Sequence, residues 1–190
     1  LDKGRFGLYI KYDSKNFSYK IENESHIDLE SIIIDLATGV SGAGRSPSEA
    51  MLHSEISEGF AAYNVARHRH LAEFDQELSK AAGKRVEISF TPHLIPQNRG
   101  ILATIYVNGP AEVIHSELVT FYKEEPFILV LPMGEVPSTK HVRGSNYCHI
   151  GVVKDRRFNK TIIFSALDNL TKGSAGQAVQ NANLMFGFKE

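Results

Sequence analysis

Two periodicities divide this chain. Leu71, Phe74, Leu78 and Ala81 recur at spacings of three and four and stop at Gly83, which predicts an amphipathic helix over Leu71 to Ala82 with Gly83 as its C-cap residue. Pro110 opens a second helical pattern, in which Val113, Ile114, Leu118 and Phe121 share a face. Val86, Ile88 and Phe90, and then Ile101, Ala103, Ile105 and Val107, alternate with polar neighbours instead, and so predict two strands around a turn rich in Pro, Asn and Gly. Ser31 to Leu36, Phe127 to Leu131, Ile150 to Val153 and Thr161 to Ser165 read as further strands, the last two joined by the polar DRRFNK turn. Gly173 and Gly176 precede a final stretch of helical propensity.

The resulting order is strand, helix, strand, strand, helix, strand, strand, strand, helix. Runs of strands with few helices between them favour an α+β fold, with a mixed, mostly antiparallel sheet and helices on one face, over a doubly wound parallel one. One domain over residues 1–190 is expected, without repeats or low-complexity linkers. The aromatic and charged stretch Arg5 to Asp28 reads as a surface hairpin or insertion.

Composition narrows the partners. Apolar residues make up 42% of the chain, enough for a substantial core. With 21 Lys and Arg against 22 Asp and Glu, scattered and not striped, the footprint of a nucleic-acid binder is missing. No apolar run approaches a membrane span, and the single cysteine, Cys148, permits no intrachain disulfide, so a cytoplasmic location is expected. Leu1 in place of an initiator Met suggests a piece or processed product of a longer protein.

Three segments carry residues suited to chemistry. Gly39 to Arg45 (GVSGAGR) follows a strand; its glycines would let backbone approach a ligand, with Arg45 pairing an anion, or they serve a turn that needs positive φ. His68 and His70 enter a helix bearing Glu73, where the helix dipole disfavours the imidazolium and keeps a neutral base available. The alternatives there are a solvated basic turn, or a metal site completed by His93. In Lys172 to Phe186, Gly173 and Gly176 would let helix N-terminal amides face a ligand, or allow close packing. No dinucleotide or P-loop glycine motif occurs. Cys148 and His149 are adjacent, so a strand would point them to opposite faces, and Cys148 reads as a packed residue.

Five blocks in order and spacing closely resemble the catalytic half of the N-acetyl-gamma-glutamyl-phosphate reductases. They are DLATGVSGAGR, HRHLAE, FTPHLIPQNRGILATIYV, LPMGEVPSTKHVRGSNYCHIGV and SALDNLTKGSAGQAVQNANLMFG. The resemblance runs from about Ser31 to the end. It implies a fold like the C-terminal domain of glyceraldehyde-3-phosphate dehydrogenase and an oxidoreductase of arginine biosynthesis. That enzyme makes N-acetyl-glutamate semialdehyde from N-acetyl-gamma-glutamyl phosphate with NADPH, through a cysteine thioester. The cysteine motif of the family, NPGCYPT, is not in these residues, and neither the Rossmann domain before it nor the returning terminal helix is expected here.

The resemblance further implies His68 as general acid/base, helped by His70 and Glu73. It implies Arg45, Arg99, Lys140 and Arg143 as partners of the substrate phosphate and carboxylate. Ser41, Gly42, Ala43, Gly44, Gly173 and Gln177 would approach an NADP held mainly by the missing domain, and a homo-oligomer is expected. The chain departs from the family at HRHLAE, where HRHTPE is usual: Leu71 and Ala72 replace Thr and Pro, and a helix-capping hydroxyl is lost. Near Thr38 the family's usual lysine is missing. The alternative to a catalytic piece is a non-catalytic dimerisation or binding module of the same fold.

Overall fold

A computed structural model describes residues 32–46 and 48–190. The expected Arg5 to Asp28 insertion lies outside the described residues. In chain order the elements are β1 (Ile33–Gly39), the short helix α1 (His53–Ile56), β2 (Ala61–Ala62), α2 (Leu71–Ala82), β3 (Ser89–Ile95), β4 (Ile101–Asn108), α3 (Ala111–Phe121), β5 (Ile128–Val130), α4 (Thr139–Val142), β6 (Cys148–Lys154), β7 (Lys160–Leu167) and α5 (Gly176–Phe186). The strands form one sheet in the order β2-β3-β1-β4-β7-β6-β5. β1 runs parallel to β3, and β5 to β6, because a helix intervenes within each pair; the other pairings are antiparallel.

Alternation decides which side chains the sheet buries. Ile34, Phe90, Ala103, Val107 and Val152 point to the face on which α2 lays Leu71, Phe74 and Leu78 and α3 lays Ala111, Ile114 and Leu118. Cys148, Ile150 and Leu167 extend this core beneath Leu118 and Tyr122. On the opposite face Ile33 stands opposite Tyr106, Tyr106 opposite Ile162, and Thr104 opposite Phe164, all exposed or half-buried. The segment after β5 crosses that face at Gly151, where a Cβ would lie 2.4 Å from the Glu135 carbonyl oxygen, so only glycine fits.

α2 has the predicted bounds, and Gly83 is its left-handed C-cap at φ 64. The strand expected from Val86 begins only at Ser89. The Ser79 hydroxyl accepts from the Val86 N–H (2.8 Å) and donates to its carbonyl (3.3 Å), so this buried residue is satisfied by a helix side chain and not by a ladder. β1 runs on through Gly39, three residues beyond the apolar run.

Candidate functional site

The histidine pair sits in a turn, not in extended chain. The Tyr63 N–H donates to the Pro92 carbonyl (3.0 Å) and ties the preceding loop to β3, and the Leu71 N–H donates to the His68 carbonyl (3.0 Å). This curl brings the two imidazoles to 4.9 Å, edge to face, and lets the His70 N–H donate to His68 Nδ1 (3.3 Å). Tyr63 and Phe90 meet the His68 ring edge-on at 5.7 and 5.4 Å. His70 is the N-cap residue of α2 and no side chain caps the helix; Leu71 is its first helical residue, so the N-cap falls one position before the one where a capping hydroxyl was expected.

Both histidines are held below the ordinary imidazole pKa. For His68 the main cause is burial, reinforced by His70 and Arg69. For His70 burial again leads, partly offset by the Glu73 carboxylate, with Arg69 adding to the depression. Burial likewise pushes the Tyr63 phenol up, against the pull of Arg69. The corner therefore keeps neutral imidazoles in an aromatic wall.

A second constellation forms where β1 and β7 end and β4 begins. The Gly39, Val40 and Ser41 amides donate to the carbonyls of Gly100 (2.9 Å), Gln97 (2.8 Å) and Asn98 (3.2 Å), zipping the Gly-rich loop to the 97–100 turn. Asn169 joins the two: it accepts from the Gly100 N–H (2.8 Å) and donates to Ser41 Oγ (2.8 Å), which in turn donates to the Asn98 carbonyl. Asp168, fully buried, accepts from the N–H groups of Gly144 (2.7 Å), Leu170 (2.8 Å) and Thr171 (3.2 Å), and from Arg99 at 3.4 Å. Burial alone would raise its pKa, but the three backbone donors and Arg99 together hold it below the usual carboxylate range.

These contacts occupy backbone amides in both Gly-containing segments. The Gly39 to Ser41 amides are spent on the chain's own turn, and Gly39 is needed because a Cβ there would lie 2.9 Å from the Arg99 nitrogen. Gly44 serves a turn at φ 84, whereas at Gly42 a Cβ would meet Thr38 and Asn169 at ordinary distances of 3.6 and 3.8 Å. Several amides at the start of the final helix are engaged as well. A π-helical turn, Thr171–Ala175, leads into it, the Gly173 N–H donates to the Asp168 carbonyl (2.9 Å), and the Asp168 carboxylate takes Leu170 and Thr171.

Ser41, Gly42, Arg99 and Gly173 thus gather around Asp168 and Asn169. α4 stands beside them, with Thr139 against Gly100, and carries the exposed Lys140; its C-cap residue is the exposed Arg143. Ala43, Gly44 and Arg45 are exposed at the loop's far end. Gln177 lies apart on α5, where it is buried and donates to Asn181 (3.0 Å), while its Oε1 has no partner. The histidine corner also lies apart: His68 rests on Phe90, level with Ile34, whereas the Gly-rich loop leaves β1 at Gly39. Five residues of strand place the two roughly 16 Å apart along β1. His93 faces the opposite side of the sheet, stacked on Phe60 at 5.2 Å, and no group of three metal-ligating side chains occurs among the described residues. The metal reading of His68, His70 and His93 fails on that geometry.

Tyr63, Asp168 and Asn169 are absent from the candidates read from the sequence. An Asp-Asn pair between a strand and a Gly-containing helix start is a capping signal that would have marked the latter two. Tyr63 has no comparable local signal. Cys148 and His149 point to opposite faces as expected, and burial raises the thiol pKa, with Ser165 and Lys172 pulling against it.

A family model described as semialdehyde dehydrogenase, dimerisation domain, matches residues 20–169. N-acetyl-gamma-glutamyl-phosphate reductases of Roseobacter denitrificans and Paracoccus denitrificans are 63% and 58% identical over 165 residues, 86% of this chain and 48% of theirs. The chain spans about half the length of these curated relatives. Among solved structures, aspartate semialdehyde dehydrogenase II from Vibrio cholerae, complexed with ASA, superposes at a TM-score of 0.65 with 17% identity, covering 84% of this chain and 55% of that one. A probable aspartate-semialdehyde dehydrogenase from Pseudomonas aeruginosa does so at 0.64 and 15%, covering 84% and 56%. Both support the mixed-sheet α+β fold. The chain belongs to the semialdehyde dehydrogenase dimerisation-domain family.

Proposed function

We propose that these residues form part of the active site of an N-acetyl-gamma-glutamyl-phosphate reductase, acting with a cysteine and a dinucleotide-binding segment that lie outside the 190 residues. The observation that carries this reading is the neutral His68–His70 pair at the start of α2 in a chain 63% identical to reductases of that name. His68 faces the reacting carbonyl, and His70 and Glu73 set its orientation and field. Arg99, tethered by one nitrogen to Asp168 and about one-third exposed, offers the rest of its guanidinium to a substrate oxyanion, with the exposed Arg45, Lys140 and Arg143 as further cationic partners.

The reduced cofactor, NADPH, would supply the hydride for thioester reduction when bound. Gly42, where the chain itself leaves room for a Cβ, and Gln177, with its unpartnered buried oxygen, fit a ligand that approaches closely and donates a hydrogen bond. Ala43, Gly44 and Gly173 would line the approach, and Ser41 holds the loop through Asn169. The test is phosphate-dependent oxidation of N-acetyl-glutamate semialdehyde by the complete polypeptide. NADP reduction is expected, and a folded polypeptide without it would overturn the proposal.

The uncovered sheet face, with Ile33 44% exposed, favours self-association of this half as well. A cytoplasmic homo-oligomer fits this reading. Among the described residues no helix is long and apolar enough to cross a membrane.

A further inference from the structure

Lys172 is only 5% exposed, on the π-helical turn Thr171–Ala175 that leads into α5. Its ammonium donates to Gln180 Oε1 at 2.7 Å and stands 5.8 Å from the centre of the Phe127 ring. These partners are a neutral amide and an aromatic face. Among the described residues no carboxylate is in ion-pair contact with it, and Glu125 and Glu190 act on it at longer range, together with Cys148, against the downward pull of burial on its pKa. Burying an ammonium on such partners costs free energy that an apolar side chain of similar length would not incur, so stability alone does not account for it.

The bond to Gln180 spans eight residues and closes a brace. Gln180 lies one turn beyond Gln177 on α5, and its Oε1 also accepts from Asn146 Nδ2 at 3.2 Å, while its own amide donates to Glu190. Asn146 abuts the first residue of α5, where a Cβ at Gly176 would lie 2.9 Å from the Asn146 Cγ. The neighbouring Ser145 accepts from the Thr171 hydroxyl through its carbonyl. On the other side of the turn the Gly173 N–H donates to the Asp168 carbonyl (2.9 Å), and the Ala175 N–H reaches back five residues to the Leu170 carbonyl (3.0 Å). The turn is therefore held by Asp168 on one side and by Lys172 on the other. Such wide turns are uncommon in helices and frequently mark functional sites.

We propose that Lys172 is a positioning residue: its ammonium, seated on Gln180 and backed by Asn146, fixes the π turn so that Gly173 and Gln177 keep their place against the cofactor. Buried as it is, Lys172 touches neither cofactor nor substrate. This rests on the reductase reading above. Within that reading the brace also ties the cofactor side of the site to the segment that carries Arg143, because the Gly144 N–H donates to Asp168 and Asn146 to Gln180.

The test is Lys172→Met in the complete polypeptide, which removes the charge and keeps the length of the side chain. Gln180 Oε1 retains Asn146 as a donor, so the change leaves no buried acceptor without a partner. Tm is expected to stay the same or rise. Deuterium exchange at the Gly173 and Ala175 amides should quicken by about tenfold, the loss of one charge-assisted bond. KM for NADPH should rise by about tenfold as the turn loses its place, with kcat changed by less than about threefold. A lower Tm accompanying the rise in KM would make Lys172 merely structural and overturn the proposal, as would unchanged exchange or an unchanged KM. Gln180→Glu gives a check of opposite sign. It keeps the acceptor and turns the bond into an ion pair, giving up the bond to Glu190. Slower exchange and a retained KM are expected, and faster exchange would overturn the clamp. Absence of turnover in the unaltered polypeptide would instead sink the reductase reading, while the exchange rates still decide whether Lys172 holds the turn.

Discussion

Gly39 and Gly42 stand three residues apart in one loop and answer to different demands. A methyl at Gly39 would press on the backbone of Gln97 to Arg99, whereas at Gly42 it would meet only ordinary contacts. Gly39→Ala should therefore cost about 1–3 kcal/mol of stability, the range for forced overpacking, and Gly42→Ala should be neutral or slightly stabilising. Thermal denaturation of the two variants checks this; a Gly42→Ala protein that keeps its Tm but loses NADP affinity in the complete polypeptide would place the cofactor at that residue. The depressed histidines make a pH prediction of fixed sign. Between the ordinary pKa near 6.5 and their lower folded values, the unfolded chain binds protons that the folded chain refuses, so stability falls as pH drops through that window. Urea titrations at pH 7 and below should show the loss, and it should shrink in a His68→Gln, His70→Gln double variant.

At the scale of elements, Ser79 does the work of a strand neighbour for Val86. Ser79→Ala leaves the buried Val86 N–H without a partner and should cost about 1–3 kcal/mol, measurable by chemical denaturation, whereas Ser79→Thr should retain much of the stability. This is also where sequence periodicity stopped being informative. Val86 and Ile88 alternate like strand residues because both pack inward, yet the ladder starts only at Ser89; burial has the same period whether a side chain or a sheet satisfies the backbone. α2 was legible to its ends because its apolar stripe and Gly83 agree. The histidine pair was legible as a candidate, but its geometry was not: the residues share a surface through a turn closed by the Leu71 N–H on the His68 carbonyl, in a loop tied to β3 by the Tyr63–Pro92 bond, a long-range contact with no local signature. The Gly-rich loop read equally well as turn or ligand cradle, and much of its amide capacity goes to residues 97–100, far away in sequence.

For the whole molecule, one sheet face is covered by α2 and α3, and the other leaves Ile33, Tyr106, Ile162 and Phe164 exposed or half-buried. If a second copy covers that face, sedimentation should find a dimer at micromolar concentration, and Ile33→Lys should shift it towards monomer while preserving the fold; a strict monomer for the unaltered chain would refute self-association through this half. The Asp168–Asn169 node belongs to the same scale, because it ties the 39–44 loop, the 97–100 turn and the start of the final helix into one rigid end of the sheet. Chemistry is expected at the separate histidine corner. Turnover of N-acetyl-gamma-glutamyl phosphate by the complete polypeptide, compared between His68 and His68→Ala, tests this most directly. The account predicts a kcat lower by about 10²–10³-fold in a variant with an unchanged circular dichroism spectrum, and a variant with near-normal kcat would contradict it.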